Sequence, residues 1–450
     1  MSVINVAIIG CGFVFDKYMD TWGRHEKLNI VGVSDLNKVR LHQVAEYYGL
    51  KAFPDNESLL KEKADIVVNL TSICSHFEVS KAALLSGKHV YSEKPLTDNL
   101  GNAKELFRIA SENGVRLSSA PSNALSSLCQ TMWKIVRDGV IGDVKLIYTE
   151  FDTSPLYLKN KNLDSKDDFP FLSEAYNVTA SGAPFPWKEE FEMGCTFEHV
   201  GYQLTWMCAM FGPVKSVTGF SKQIMPEKTD MLLDPPDTPD FSVGVLNFHS
   251  GVVGRVTCSI SGVNDTSMKI VGNRGMVHSH TYGDYEGAVY LEPFSKMSIK
   301  WRYIRGLDTS YFANLFLGVG GRKVPLVETR SKIALRDARK ASSPIGVKGL
   351  LRRLRSRLLG EQDKCIGIVE LADALKDNRV QFPPHDFSLH ITELTLAIQN
   401  SGENGAANMM ETSFDPVDLP GELLASKIDY RRYSRPRWIT RLVERVMDRF

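Results

Sequence analysis

The first third of the chain alternates short apolar runs with helical segments. NVAIIG (5–10), LNIVGVSD (28–35), ADIVVNLT (64–71), HVYSEKP (89–95) and VRLSSAP (115–121) read as strands. Their near-continuous apolar character is that of strands buried on both faces. Between them, segments up to about Trp22, 37–48, 76–87 and 98–113 read as helices, the third ending on Gly87 and the fourth on Asn113-Gly114. Strands alternating with short helical crossovers predict a parallel sheet with helices on both faces.

After Pro121 the period changes. Residues 125–138 read as a helix and KLIYTEF (145–151) opens an alternating strand. Residues 152–190 are rich in Pro, Asn, Ser and Asp and read as a long surface loop. GCTFEHVGYQLTWMCAMFG (194–212) follows as a helix, with Phe197, Val200, Leu204, Met207 and Phe211 as its core stripe and Glu198, Tyr202 and Thr205 on a neighbouring polar face. VKSVTGF (214–220), FSVGVLNF (241–248), VVGRVTCSI (252–260) and SMKIVG (267–272) alternate as strands of a mostly antiparallel sheet. Globular patterning resumes at 366–377 and 386–402, and RWITRLVERVMDRF (437–450) places Trp438, Leu442, Val446 and Phe450 on one helical face.

The totals narrow the classes. A chain of 450 residues accommodates two or three domains, and a net charge of +1 makes no case for a nucleic-acid partner. Seven cysteines, none in a CxxC pair, argue against a disulfide framework or zinc knuckle and suit reduced thiols in the cytoplasm. The first residues lack the basic and cleavage features of a signal peptide, and no apolar run has the length of a membrane span. His278 and His280 share one strand face without a third ligand, so no metal site is expected.

Two motifs carry chemistry. GCGFVF (10–15) follows the first strand and opens a helix: Gly10 permits the tight turn, and Gly12, before Phe13, lets the backbone approach a pyrophosphate. Phe15 stands where glycine or alanine is usual, so the motif is partial. Asp35 ends the second strand at the distance of a ribose-binding carboxylate, which favours NAD; Lys38 and Arg40 nearby keep NADP open. The alternative role for Asp35 is a helix N-cap. In GKHVYSEKPL (87–96), Lys94 sits at the strand edge where such sheets bind ligands, and Pro95 stops the strand. Desolvation and an oxidised nicotinamide ring beside it would lower its amine pKa, fitting it for proton transfer.

GCG, Asp35, NLTSICSHFEVSKAALLSGKHVYSEKPL (69–96) and DGVIGDV (138–144) together resemble the Gfo/Idh/MocA oxidoreductases. The resemblance covers the N-terminal domain, continues through 140–280 and resumes at 366–400, so the basic stretch near 330–360 reads as an insertion. It implies an α/β fold: an N-terminal Rossmann domain (1–122), then an α/β domain with a large, mostly antiparallel open sheet (123–430), and an amphipathic tail (431–450). It implies hydride transfer between nicotinamide and a secondary alcohol of a sugar, nucleotide-sugar or cyclitol, in a homodimer or homotetramer. Lys94 matches the family lysine, with Glu93 and Pro95 completing its motif; Thr71 and His76 match a segment near the cofactor.

The family's second signature, Asp, then His, then Asp, falls on Glu198, Tyr202 and Thr205, so all three residues differ. A tyrosine beside Lys94 can still act as general acid or base, Glu198 keeps a carboxylate, and His199 adds an imidazole about 100° round the helix. Asn123, past the fifth strand, and Thr205 and His199 are candidate substrate contacts; each of these polar groups could equally be structural. The changed signature keeps two alternatives open: glycoside cleavage by transient oxidation and elimination, and a non-catalytic dinucleotide-binding regulator. KGLLRRLRSRLL (348–359) and the C-terminal stretch raise a peripheral contact with an anionic membrane surface.

Overall fold

A computed structural model describes residues 3–153, 155–161, 178–262, 264–301, 303, 310–329, 332–333, 361–417, 427–435 and 437–447. Six strands form the first sheet: β1 (Ile4–Ile9), β2 (Leu28–Ser34), β3 (Ala52–Phe53), β4 (Ile66–Asn69), β5 (His89–Ser92) and β6 (Leu117–Ser119). Their order is β3-β2-β1-β4-β5-β6 and every pair is parallel. The crossovers carry α1 (Phe13–Trp22), α2 (Lys38–Tyr48), α3 (Asn56–Leu60), α4 (Ile73–Leu85) and α5 (Leu100–Glu112). The pleat explains the apolar runs: Val6, Ile8, Ile66 and Val68 enter one core, while Ala7, Ile9 and Val67 enter the other.

The chain then forms α6 (Ser127–Arg137), β7 (Val144–Asp152), α7 (Leu156–Lys161), α8 (Trp187–Met193) and α9 (Cys195–Phe211). Strands β8 (Val214–Lys222), β9 (Phe241–Phe248), β10 (Val253–Ser259), β11 (Met268–Gly272), β12 (Gly275–Ser279) and β13 (Val289–Pro293) follow. Next come α10 (Lys296–Trp301), α11 (Tyr311–Leu317), β14 (Arg322–Val324), α12 (Ile366–Lys376), α13 (His385–Gln399), β15 (Ala406–Met409) and α14 (Trp438–Met447). The second sheet runs β14-β13-β12-β11-β7-β10-β9-β8-β15, antiparallel except where β7 meets β10. Helix α9 lies against β7, β9 and β10 and is covered in turn by α13. Helix α12 returns to the first sheet, where Ile368 and Leu371 join the core of Val6 and Tyr18.

Two readings change. The expected loop at 152–190 is loop only in part: α7 spans Leu156–Lys161, Ala183 and Trp187 are buried, and α8 begins at Trp187. Polar composition misleads here because Ser181 and Thr179 hydrogen-bond to Asp16 of α1 rather than to water. Helix α9 is buried on its polar side too, so Glu198, Tyr202 and Thr205 are interior groups. The 348–359 stretch and Phe450 lie outside the described residues.

His390 of α13 pins the start of β8, accepting from Val214 N–H at 2.9 Å through Nε2. Burial pulls its imidazole down from 6.5 to about 4. A depressed folded value gives stability that is full above the unfolded pKa and is lost as pH falls through the folded one. His390 therefore contributes about 3 kcal/mol that disappears between pH ~6.5 and ~4. Thermal unfolding across that range should show this loss, and His390→Gln should lack it.

Candidate active site at the C-terminal edge of the parallel sheet

The turn after β1 is built on Gly10, at φ +97°, where a Cβ would lie 2.5 Å from the Leu70 carbonyl. Gly12 is the N-cap of α1 and offers no side-chain cap; a Cβ there would meet nothing within 4 Å. The first turn of α1, beginning at Phe13, thus keeps its N–H groups without a side-chain cap, the arrangement that receives a phosphate. Asp35 ties this turn to the next: Oδ2 accepts from Cys11 N–H and Oδ1 from Asn37 N–H, both at 2.7 Å. The N-cap of α2 is Asn37, so Asp35 does not cap that helix. Arg40 is buried, donating to Cys11 O and pairing with Asp16 at 2.9 Å. Lys38 donates to the carbonyls of Asp35 and Pro54. These residues fit a dinucleotide such as NAD: an uncapped helix start, a glycine turn and a carboxylate at the end of β2.

Thr71 and His76 brace the neighbouring loops. Thr71 Oγ1 donates to Asn69 Oδ1 at 2.7 Å. His76 is fully buried, with Nδ1 2.7 Å from Pro95 O and Nε2 3.1 Å from Thr71 O, and burial pulls its imidazole down. It therefore links the loop after β4 to the loop holding Lys94.

Lys94 leaves β5 at the same sheet edge and meets α9. Its Nζ donates to Glu198 Oε2 at 2.6 Å and to Glu198 O at 2.5 Å, and lies 5.7 Å from the centre of the Tyr202 ring. Glu93 Oε2 accepts from Lys94 N–H, and Oε1 accepts from Tyr18 Oη at 2.9 Å. Tyr202 Oη accepts from Lys364 Nζ at 2.8 Å. The phenol ring packs in a cluster with Phe151 and Tyr282, at centroid distances of 6.3 and 5.3 Å, and those two rings lie 5.5 Å from each other. Asn123 Nδ2 donates to Tyr202 O at 2.8 Å, and its buried Oδ1 has no protein partner.

The expectation of a lowered Lys94 amine is corrected by these partners. Burial pulls it down, but Glu198, Tyr202 and Glu93 outweigh burial and hold the ammonium well above its usual range. Burial pushes the Glu198 carboxyl up, against the pull of Lys94, and Glu190 adds to the rise. Burial would also raise Glu93, yet the ammonium groups of Lys364 and Lys94 hold it low. For Lys364, burial pulls down, and Tyr202 and Glu93 more than restore the charge. The result is two ammonium groups fixed as cations against one phenol, Lys94 at 5.7 Å and Lys364 at 5.1 Å from its ring centre.

His199 turns away from this cluster. Its Nε2 lies 2.5 Å from Glu190 Oε1, and its ring stacks on Phe151 at 4.5 Å. Thr205 lies deeper, bordering a narrow cleft between α9 and α13 that Lys94 and Gly201 also reach. His278 stacks on Tyr290 and faces Gly320 O. Among the described residues, no group of three or more His, Cys, Asp and Glu side chains is arranged to hold a metal ion. Lys364 is the residue that sequence reading misses. It lies 162 positions from Tyr202, just before the apolar run of α12, where a single cation gives no periodic signal.

A parallel sheet with an uncapped glycine turn, joined to a second domain that places a helix opposite a lysine at the same sheet edge, defines a two-domain dinucleotide-binding class. Residues 4–120 match the model of the oxidoreductase family with an NAD-binding Rossmann fold, and residues 129–278 match the GFO/IDH/MocA C-terminal domain. The chain belongs to the Gfo/Idh/MocA oxidoreductase family. It is 29% identical over 132 residues to a dTDP-3,4-didehydro-2,6-dideoxy-alpha-D-glucose 3-reductase of Streptomyces antibioticus, covering 29% of this chain and 40% of the relative. It is 31% identical over 150 residues to a D-glucoside 3-dehydrogenase of Escherichia coli, covering 32% of this chain and 42% of the relative. The chain thus matches less than half the length of these curated relatives. Its fold is that of the WlbA dehydrogenase of Bordetella pertussis, crystallised with NADH and UDP-GlcNAcA: TM-score 0.60, 15% identity, 93% of this chain and 99% of the other. The aldose-aldose oxidoreductase of Caulobacter crescentus has a TM-score of 0.62 at 15% identity, over 91% of this chain and 100% of the other. No helix among the described residues is long and apolar enough to cross a membrane.

Proposed function

We propose that the protein transfers hydride between NAD and a secondary alcohol carbon of a sugar, nucleotide-sugar or cyclitol. One observation carries the reading: Lys94, Tyr202 and Lys364 converge at the ligand-binding edge of the Rossmann sheet. The relatives' names, a reductase and a dehydrogenase acting on glucose derivatives, support a carbohydrate substrate and net redox chemistry.

NAD, when bound, supplies the hydride acceptor; Gly12, Phe13 and Asp35 are the residues that would hold it. The chain's own groups manage the proton. Lys364 occupies a lone pair of Tyr202 Oη, leaving the phenol hydrogen free to exchange with a substrate hydroxyl. Charge developing on that oxygen as the proton leaves is met by the Lys364 ammonium in a water-poor site. Lys94 spends two of its three N–H groups on Glu198, which fixes its direction and leaves the third for the substrate oxygen. Glu198 is the positioning residue for Lys94. Tyr202 thus takes the acid–base role, at the position where the family signature has its histidine. The exposed apolar residues on the outer face of the large sheet, Leu146, Val245 and Val253, support assembly into homo-oligomers.

Titration calorimetry tests the cofactor half of this reading. NAD should bind more tightly than NADP. Asp35→Ala should weaken NAD binding about 10–100-fold, the cost of removing charge-assisted hydrogen bonds to the ribose. Equal affinity for both dinucleotides, or none for either, contradicts it.

A further inference from the structure

Helix α14 is docked with its apolar stripe facing outward. Thr440 is its buried residue, donating to Leu315 O of the loopward end of α11. Trp438, Leu442 and Val446, at i, i+4 and i+8, are exposed, and Arg441 and Arg445 stand between them at i+3 and i+7. A helix of a globular protein ordinarily turns such a stripe to the core. Helix α11, packed against α14, repeats the inversion: Ala313 is buried while Tyr311 is 73% and Phe312 70% exposed. Trp438 is likewise 70% exposed.

Beside this face lies a narrow surface cleft between β13, α11 and α14, whose lining includes Arg322, Arg435 and Arg437. Arg322 donates to the carbonyls of Arg432 and Tyr433. Burial, and then the neighbouring Arg437, pull its guanidinium below the usual range, as expected where cations gather without a counter-ion. Among the described residues, none of Arg322, Arg435, Arg437, Arg441 and Arg445 is paired with a carboxylate.

We propose that this face docks on an anionic phospholipid bilayer, its aromatic side chains lying in the interface and its arginines facing the lipid phosphates. Tryptophan and tyrosine favour the headgroup level, and interleaved arginines suit a negative surface. A second copy of the chain is a poorer occupant, because a two-fold interface would bring these arginine sets against one another.

Flotation of the full chain with phosphatidylcholine vesicles, with and without phosphatidylglycerol, tests this. The protein should float with the anionic vesicles only, and less at high salt. Arg437→Ala, Arg441→Ala and Arg445→Ala should each lower the partition coefficient about fivefold. Quenching of tryptophan emission by brominated anionic lipid should be seen in the unsubstituted protein and lost in Trp438→Phe, a change at an exposed position that leaves the fold intact. No flotation with anionic vesicles overturns the proposal. So does flotation at full strength in the triple arginine variant, which would place the lipid contact elsewhere. Self-association without flotation, abolished by the same substitutions, also overturns it.

Discussion

Tyr202→Phe slows hydride transfer by about 10²–10⁴-fold, the range for loss of a positioned general acid or base, while NAD affinity is unchanged. The substitution removes one oxygen and keeps the ring. Packing with Phe151 and Tyr282 therefore survives, and the loss of stability should be that of one charge-assisted hydrogen bond, about 1.5–3 kcal/mol. What is lost is the proton-carrying atom and the acceptor for Lys364. Lys364→Met tests the same pair from the other side. It keeps the phenol but removes the cation that meets developing charge, so it should slow the step less than Tyr202→Phe and steepen its dependence on pH. Lys364→Arg, which keeps the charge, should restore part of the rate. Single-turnover measurement of nicotinamide absorbance reads all three. Full activity in Tyr202→Phe would return the residue to a structural role.

The second large effect is at Lys94. Lys94→Met should lower the hydride-transfer rate by about 10³-fold, because it removes a charged donor aimed at the reacting oxygen. It should also destabilise the protein by about 3–5 kcal/mol, since it leaves the buried Glu198 carboxylate without its counter-ion. The Lys94 and Glu198 side chains are only 14% and 11% exposed, so solvent cannot replace the lost partner. The two effects separate in a double variant. Lys94→Met with Glu198→Gln should recover most of the stability and none of the rate, measured by denaturant unfolding and single turnover. Recovery of the rate along with stability would show that Lys94 acts only through the fold.

Much of this arrangement is legible in the sequence. NVAIIG reads as a doubly buried strand because alternate residues enter two different cores. The glycine turn and Asp35 fall at fixed offsets from strands, and Lys94 is marked by the proline that follows it. Helix α9 announces its core stripe through Phe197, Val200, Leu204, Met207 and Phe211, all of them buried. Other features have no local signature. Strand β3 is two residues long, and β14 and β15 are edge strands of three and four residues, too short for alternation to register. The parallel pairing of β7 with β10 depends on the order of distant strands. Polar composition hid the burial of Ser181, whose carbonyl and hydroxyl oxygens are engaged by Arg40. The pairing of Lys364 with Tyr202 joins segments on opposite sides of the basic stretch. Only the fold brings them together.

The central claim is hydride transfer to or from a carbinol carbon with Tyr202 as the proton-carrying group. It is tested most directly with NAD and a panel of pyranosides, nucleotide-sugars and cyclitols, each carrying deuterium on its carbinol carbons, read by mass spectrometry of the reduced nicotinamide. The predicted result is deuterium in the cofactor from one carbinol position of at least one substrate class, with the transfer greatly slowed in Tyr202→Phe. Transfer at an unchanged rate in Tyr202→Phe, or no transfer from any panel member by protein that binds NAD, would contradict it.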